Sequence, residues 1–163
     1  MSALTLRNQS WRLLIAATRW ALIALLLNLL WEIAQLPLYQ FAPGVGSTRL
    51  AYYVLHCTAG DAMIATTIFL ITGWVLSASD WPSTRPWAAI TIVTLLGVGY
   101  TAGSEWYNVY QAGNWAYASA MPLVFGIGLA PLAQWLVVPV ATLLIVRARL
   151  RVHTHETPKA TCS

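Results

Sequence analysis

The sequence predicts an all-α fold: a compact bundle of four membrane-crossing helices, polytopic, with both termini on the cytoplasmic side. Composition, run length and the placement of arginine lead to it. Of the 163 residues, 58% are hydrophobic and 9% are charged, at a mean hydropathy of +0.63. Soluble domains carry about a quarter charged residues. A net charge of +4 would suggest nucleic acid on a soluble chain. Here the basic residues stand at the ends of apolar runs, so they act as orientation signals and phosphate-facing anchors, and no nucleic-acid partner is expected. The length suits one domain, residues 1–152, followed by a flexible polar tail over 153–163.

A crossing helix needs roughly 20 mostly apolar residues. Four runs qualify, at about 19–39, 50–76, 87–109 and 122–146. The first is extended at its start by an interfacial turn or two from Trp11. Its apolar part outruns the core of a signal peptide and no small-x-small site closes it, so it is expected to be retained as a helix. The fourth contains Pro131 and Pro139, which predict a kink or local unwinding.

Arg7, Arg12 and Arg19 precede the first run, Arg147, Arg149, Arg151 and Lys159 follow the fourth, and Arg85 lies in "SASDWPSTRP" between the second and third. The other two connections, about 40–49 and 110–121, hold Arg49 between them. The positive-inside rule then puts the termini and the middle connection in the cytoplasm, in a bacterial-type inner membrane, and the other two outside. Tyr39, Phe41, Tyr52, Tyr53, Trp106, Tyr107, Tyr110, Trp115 and Tyr117 fall at the outer boundary. Trp11, Trp20, Trp74, Trp81 and Trp87 fall at the inner one, so both aromatic belts are expected.

Against this background the ionisable residues inside the runs are informative. Glu32, Asp61 and Glu105 are three of the five acids, and His56 is one of three histidines. A charge at the centre of a membrane helix costs about 3 kcal/mol on insertion scales, so each needs a partner, a wet cavity or a proton. Counting about 1.5 Å per residue from the outer end of each run puts Glu32 roughly 10 Å deep, His56 about 9 Å and Asp61 roughly 16 Å. The same count puts Glu105 about 6 Å deep and Gln134 roughly 18 Å. All four runs therefore carry their polar groups in the outer half of the bilayer.

Helical spacing sharpens the pattern. Asn28, Glu32 and Gln35 form one stripe at i, i+4, i+7, and Thr101, Glu105 and Asn108 repeat it on the third run. A shift of 73 positions lays Glu32 on Glu105, Asn28 on Thr101, Gln35 on Asn108 and Asp61 on Gln134. That echo points to a duplicated two-helix unit with a pocket on its pseudo-twofold axis. Gly97, Gly99, Gly103, Gly126 and Gly128 would permit close helix approach.

A polar pocket that opens outward suits an intramembrane enzyme performing acid–base chemistry on a lipophilic substrate, of isomerase, cyclase or hydrolase type. The candidate catalytic residues are Glu32, His56, Asp61 and Glu105. Asn28, Trp31, Gln35, Trp106, Asn108 and Gln134 are candidates for binding the substrate, the tryptophans as apolar or cation-binding walls. The alternatives are a proton-coupled carrier of a small molecule or ion, and a ligand-binding or accessory membrane subunit. No cofactor is expected. A metal on His56, Asp61, Glu32 and Glu105 is a lesser option, since zinc sites usually draw on more His or Cys. Cys57 and Cys162 lack a CxxC spacing and suggest no disulfide. Expected partners are membrane lipids and a lipophilic small molecule, with a homo-oligomer left open.

Overall fold

The computed structural model describes residues 3–41, 44–78 and 80–155, with side chains described from Trp11 to Ala148 apart from Arg12. The long helices are α1 (Ala3–Gln35), α2 (Ser47–Val75), α4 (Pro86–Trp106) and α5 (Leu129–His155), with one short turn of helix, α3 (Trp81–Thr84). Four helical segments are long and apolar enough to cross a membrane: Leu13–Leu38, Ser47–Val75, Pro86–Ala112 and Leu129–Ala148. The tail expected from 153 onward begins within α5, which reaches His155; residues 156–163 lie outside the described residues.

Local sequence sets the ends. α1 contains neither glycine nor proline and gives way to a 3₁₀ turn, Leu36–Leu38, where Pro37 cannot donate to the helix ladder. α4 opens with Pro86 in its first turn, where a missing N–H costs nothing. Its far end widens into a π-helical stretch, Tyr107–Ala112, closed by Gly113 at φ +62°. Such stretches are rare and occur often at functional sites.

The four long helices form a ring in the order α1, α2, α4, α5, so α1 and α4 stand on one diagonal and α2 and α5 on the other. At one pole the α1–α2 and α4–α5 connections meet. There β1 (Tyr39–Gln40) pairs antiparallel with β2 (Ala116–Tyr117), placing Tyr39 opposite Tyr117. A second hairpin, β3 (Leu123–Val124) with β4 (Ile127–Gly128), leads into α5.

That hairpin corrects the expected fourth run, which counted 122–128 as helix. Hydropathy alone does not separate a short apolar strand from a helix. The turn is decided instead by Phe125 and Gly126, both at positive φ (+51° and +82°), the backbone a tight hairpin turn demands. Pro131 consequently falls in the first turn of α5, where its effect is small, while Pro139 remains inside the helix.

The opposite half is filled by apolar side chains. Trp20, Phe69 and Trp81 are 1%, 1% and 0% exposed, with ring centroids 5.0–5.4 Å apart. The Trp81 indole donates to the Phe69 carbonyl at 3.2 Å. Trp20 and Trp81 were expected at the inner belt; α3 instead tucks Trp81 beneath the bundle, where the two rings complete the core. Trp11, Trp74 and Trp87 are exposed, as belt residues are.

Trp135 on α5 lies flat against Gly97 on α4, where any Cβ would run into the indole ring. Gly99 and Gly103 face open space, so of these three only Gly97 permits helix contact.

Candidate functional site

A cavity of about 620 Å³ opens at the pole where the two hairpin-bearing connections meet. Glu32 from α1, Asp61 from α2 and Glu105 from α4 all line it, together with Gln134 from α5. Each long helix therefore contributes a polar side chain to one space. Beneath it Gln134 on α5 joins Asp61 on α2 to Asn28 on α1, while Glu105 on α4 is held separately.

Gln134 is the hub. From Nε2 it donates to Asp61 Oδ2 at 2.7 Å and to Asn28 Oδ1 at 2.9 Å. Glu32 accepts from Gln35 Nε2 at 2.8 Å and lines the same cavity as Asp61. Gln35 in turn accepts from the Trp31 indole at 3.2 Å. The stripe at i, i+4, i+7 on α1 thus faces inward, with Asn28, Glu32 and Gln35 all buried.

Glu105 stands apart from that pair and is held by phenols. Tyr117 donates to Glu105 Oε2 at 2.7 Å, and Tyr39 donates to the same oxygen at 3.4 Å. The β1–β2 pairing sets the two rings side by side, 5.8 Å between centroids. Both phenols lie outside the spanning segments. Burial first, then Glu105, pushes each above the ordinary tyrosine range, so both stay protonated as donors. Gly128 leaves room for the Tyr117 ring, which a Cβ there would meet at 2.9 Å. The Trp115 indole N–H approaches Glu105 without completing a hydrogen bond and has no other partner among the described residues.

Asn108, on the π-helical stretch, lines the cavity and is fixed by local bonds. It donates to the Ser104 carbonyl at 2.8 Å and accepts from Asn114 Nδ2 at 2.7 Å. His56 also lines the cavity but is exposed, its ring stacked on Tyr52 at 5.7 Å, outside the carboxyl network. Cys57 is a free thiol on the lining.

The geometry therefore gathers Glu32, Asp61, Glu105, Gln35, Gln134, Asn108 and His56 around one space. Asn28 sits behind Gln134 as its support. Trp31 touches the network through Gln35, and neither it nor Trp106, which is 52% exposed, is among the lining residues. Tyr39 and Tyr117 belong to the site although belt positions alone marked them in the sequence. Their link to Glu105 is long-range, across 66 and 12 positions, and no local pattern announces it. Among the described residues no group of three His, Cys, Asp or Glu converges to hold a metal ion, so the His56, Asp61, Glu32, Glu105 metal option finds no donor set.

Fold and site together define a small all-α bundle of membrane-spanning character with a buried carboxyl network at one pole. Comparison with protein-family models, with curated proteins and with solved structures finds no match in any of the three.

Proposed function

We propose that the protein is a multi-pass membrane enzyme, one domain with both termini in the cytoplasm of a bacterial-type cell, that performs acid–base chemistry on a lipophilic substrate. One observation carries this above all: three carboxyl groups from three helices line one cavity, two of them on the adjoining helices α1 and α2 and the third held separately by phenols. Two neighbouring carboxyls can share a single proton, and a distinct carboxylate provides the complementary acceptor or donor. The assignment is Glu32 with Asp61 as the proton-transferring pair and Glu105 as the opposing group. Gln134 and Gln35 orient the pair, and Asn108 would bind a substrate oxygen by exchanging one of its local bonds to Ser104. Isomerisation or cyclisation of a lipid-like molecule fits this arrangement, since a proton delivered at one carbon is removed at another and no external nucleophile is needed.

A lateral opening supports a lipid-soluble substrate. Tyr52 on α2 and Tyr100 on α4 both line the cavity and are 62% and 54% exposed, which favours an opening between these two neighbouring helices. A carrier ranks second, because the Trp20, Phe69 and Trp81 cluster fills the opposite half of the bundle.

The test is lipid and metabolite profiling of a strain lacking the gene, complemented with the wild type or with Glu32→Gln, Asp61→Asn or Glu105→Gln. A compound should accumulate while its chemically altered product disappears, and the variants should restore conversion poorly, roughly 10²- to 10⁴-fold below wild type. Accumulation of an unaltered compound on one side of the membrane, with no missing product, would instead establish transport.

A further inference from the structure

Among the described residues, the acids of the cavity have no balancing cation. Glu32, Asp61 and Glu105 take their hydrogen bonds from Gln35, Gln134, Tyr117 and Tyr39, and no lysine or arginine contacts any of them among the described residues. The basic lining residue Arg49 is exposed in the first turn of α2, twelve residues and roughly 18 Å along the helix from Asp61. Uncompensated carboxylates in a membrane interior are costly, and a ligand that brings positive charge offsets that cost.

The remaining wall favours the same kind of ligand. Tyr39, Phe41, Tyr52, Tyr53, Tyr100 and Trp115 line the cavity, and aromatic faces attract organic cations. An inorganic cation suits the site less well, since no three acidic, histidine or cysteine donors converge among the described residues. A volume of about 620 Å³ also matches an organic molecule, for which pockets of about 300–1,000 Å³ are usual.

From these features we infer that the cavity takes an amphiphile with a basic nitrogen: an ammonium head beside the Glu32 and Asp61 carboxyls, walled by tyrosines, with its hydrocarbon tail leaving between α2 and α4. This rests on the cavity being the substrate site and names the class of substrate it accepts.

Binding of hexadecylamine, hexadecanol and hexadecanoic acid to the full-length protein in phosphatidylcholine nanodiscs tests it by calorimetry. The amine should bind at least about tenfold more tightly than the alcohol, and Glu32→Gln combined with Asp61→Asn should weaken amine binding by about 30-fold or more and remove the preference for amine over alcohol. Equal binding of amine and alcohol, or preference for the acid, overturns the inference. Should that double variant fail to fold, protection of Cys57 from alkylation in a Cys162→Ser protein gives the same answer. Hexadecylamine should shield the thiol and hexadecanol should not; equal shielding overturns the inference. Lost conversion in the Glu105→Gln strain without amine preference removes the cationic class alone. Amine preference that depends on the acids, with no conversion in any strain, upholds the ligand class and removes the enzyme.

Discussion

Gln134 donates from Nε2 to Asp61 Oδ2 at 2.7 Å, and the two residues are 73 positions apart in the chain. The same offset separates Glu32 from Glu105, on the α1–α4 diagonal of the ring. Two equivalent positions thus meet directly, one as an acid and the other as its amide counterpart. The ring order, with α1 opposite α4 and α2 opposite α5, is the one a pseudo-twofold arrangement of two helix pairs would have. An acid at both positions would set two carboxyls against each other, whereas an amide on one side turns the contact into a hydrogen bond.

Gln134→Leu should therefore be more damaging than Asp61→Asn. The leucine strands the buried Asn28 acceptor and the part-buried Asp61 acceptor, and a buried group left unsatisfied costs roughly 1–3 kcal/mol. Asparagine at 61 still presents an oxygen to Gln134, so its cost should stay below about 1 kcal/mol. Unfolding of the two variants in mixed micelles measures both; equal losses would show that the Asp61 charge, and not this bond, matters.

Much of the site was legible because helix periodicity acts over short distances. Asn28, Glu32 and Gln35 had to share a face wherever α1 packed, and apolar surroundings made that face the inward one. The four apolar helices followed from run length for the same reason. Less visible were features decided by backbone conformation or distant contacts. The Phe125–Gly126 turn removed 122–128 from the fourth helix, and α3 carried Trp81 from an expected interface into the core. Tyr117 reaches Glu105 because the β1–β2 pairing and Gly128 let it, neither of which has a signature in hydropathy.

Gly97→Ala should destabilise the bundle by about 1–3 kcal/mol, because the new methyl collides with the face of Trp135 between two long helices. Gly99→Ala and Gly103→Ala should be neutral or slightly stabilising, since nothing lies within 4 Å of either position and alanine favours helix. Parallel denaturation of the three variants is the measurement. A matching loss at all three would mean that these glycines serve helix flexibility and not the α4–α5 contact.

Alkaline pH should unfold the protein partly through Tyr39 and Tyr117. Burial, reinforced by Glu105, holds both phenols above the ordinary value of about 10, so the folded state keeps protons that the unfolded chain has already lost. The stability they contribute is complete below about pH 10 and declines as pH rises beyond it. Tyr39→Phe with Tyr117→Phe should melt lower at neutral pH, having lost two bonds to Glu105, and show a shallower decline above about pH 10. Melting temperature followed from neutral to alkaline pH distinguishes the two proteins.

Glu32 and Asp61 line the cavity from the packed neighbours α1 and α2, whereas Glu105 lies on the opposite corner of the ring. In a protein lacking Cys57 and Cys162, Glu32→Cys with Asp61→Cys should therefore be bridged by a short bifunctional thiol reagent. Glu32→Cys with Glu105→Cys should need a longer one that spans the cavity. Both pairs line a space that opens toward the α1–α2 and α4–α5 connections, so a polar reagent should reach them from the side those connections face. Right-side-out and inverted membrane vesicles separate the two sides. Labelling from the cytoplasmic face alone would reverse the proposed orientation, and short-reagent bridging of 32 with 105 would contradict the ring order itself.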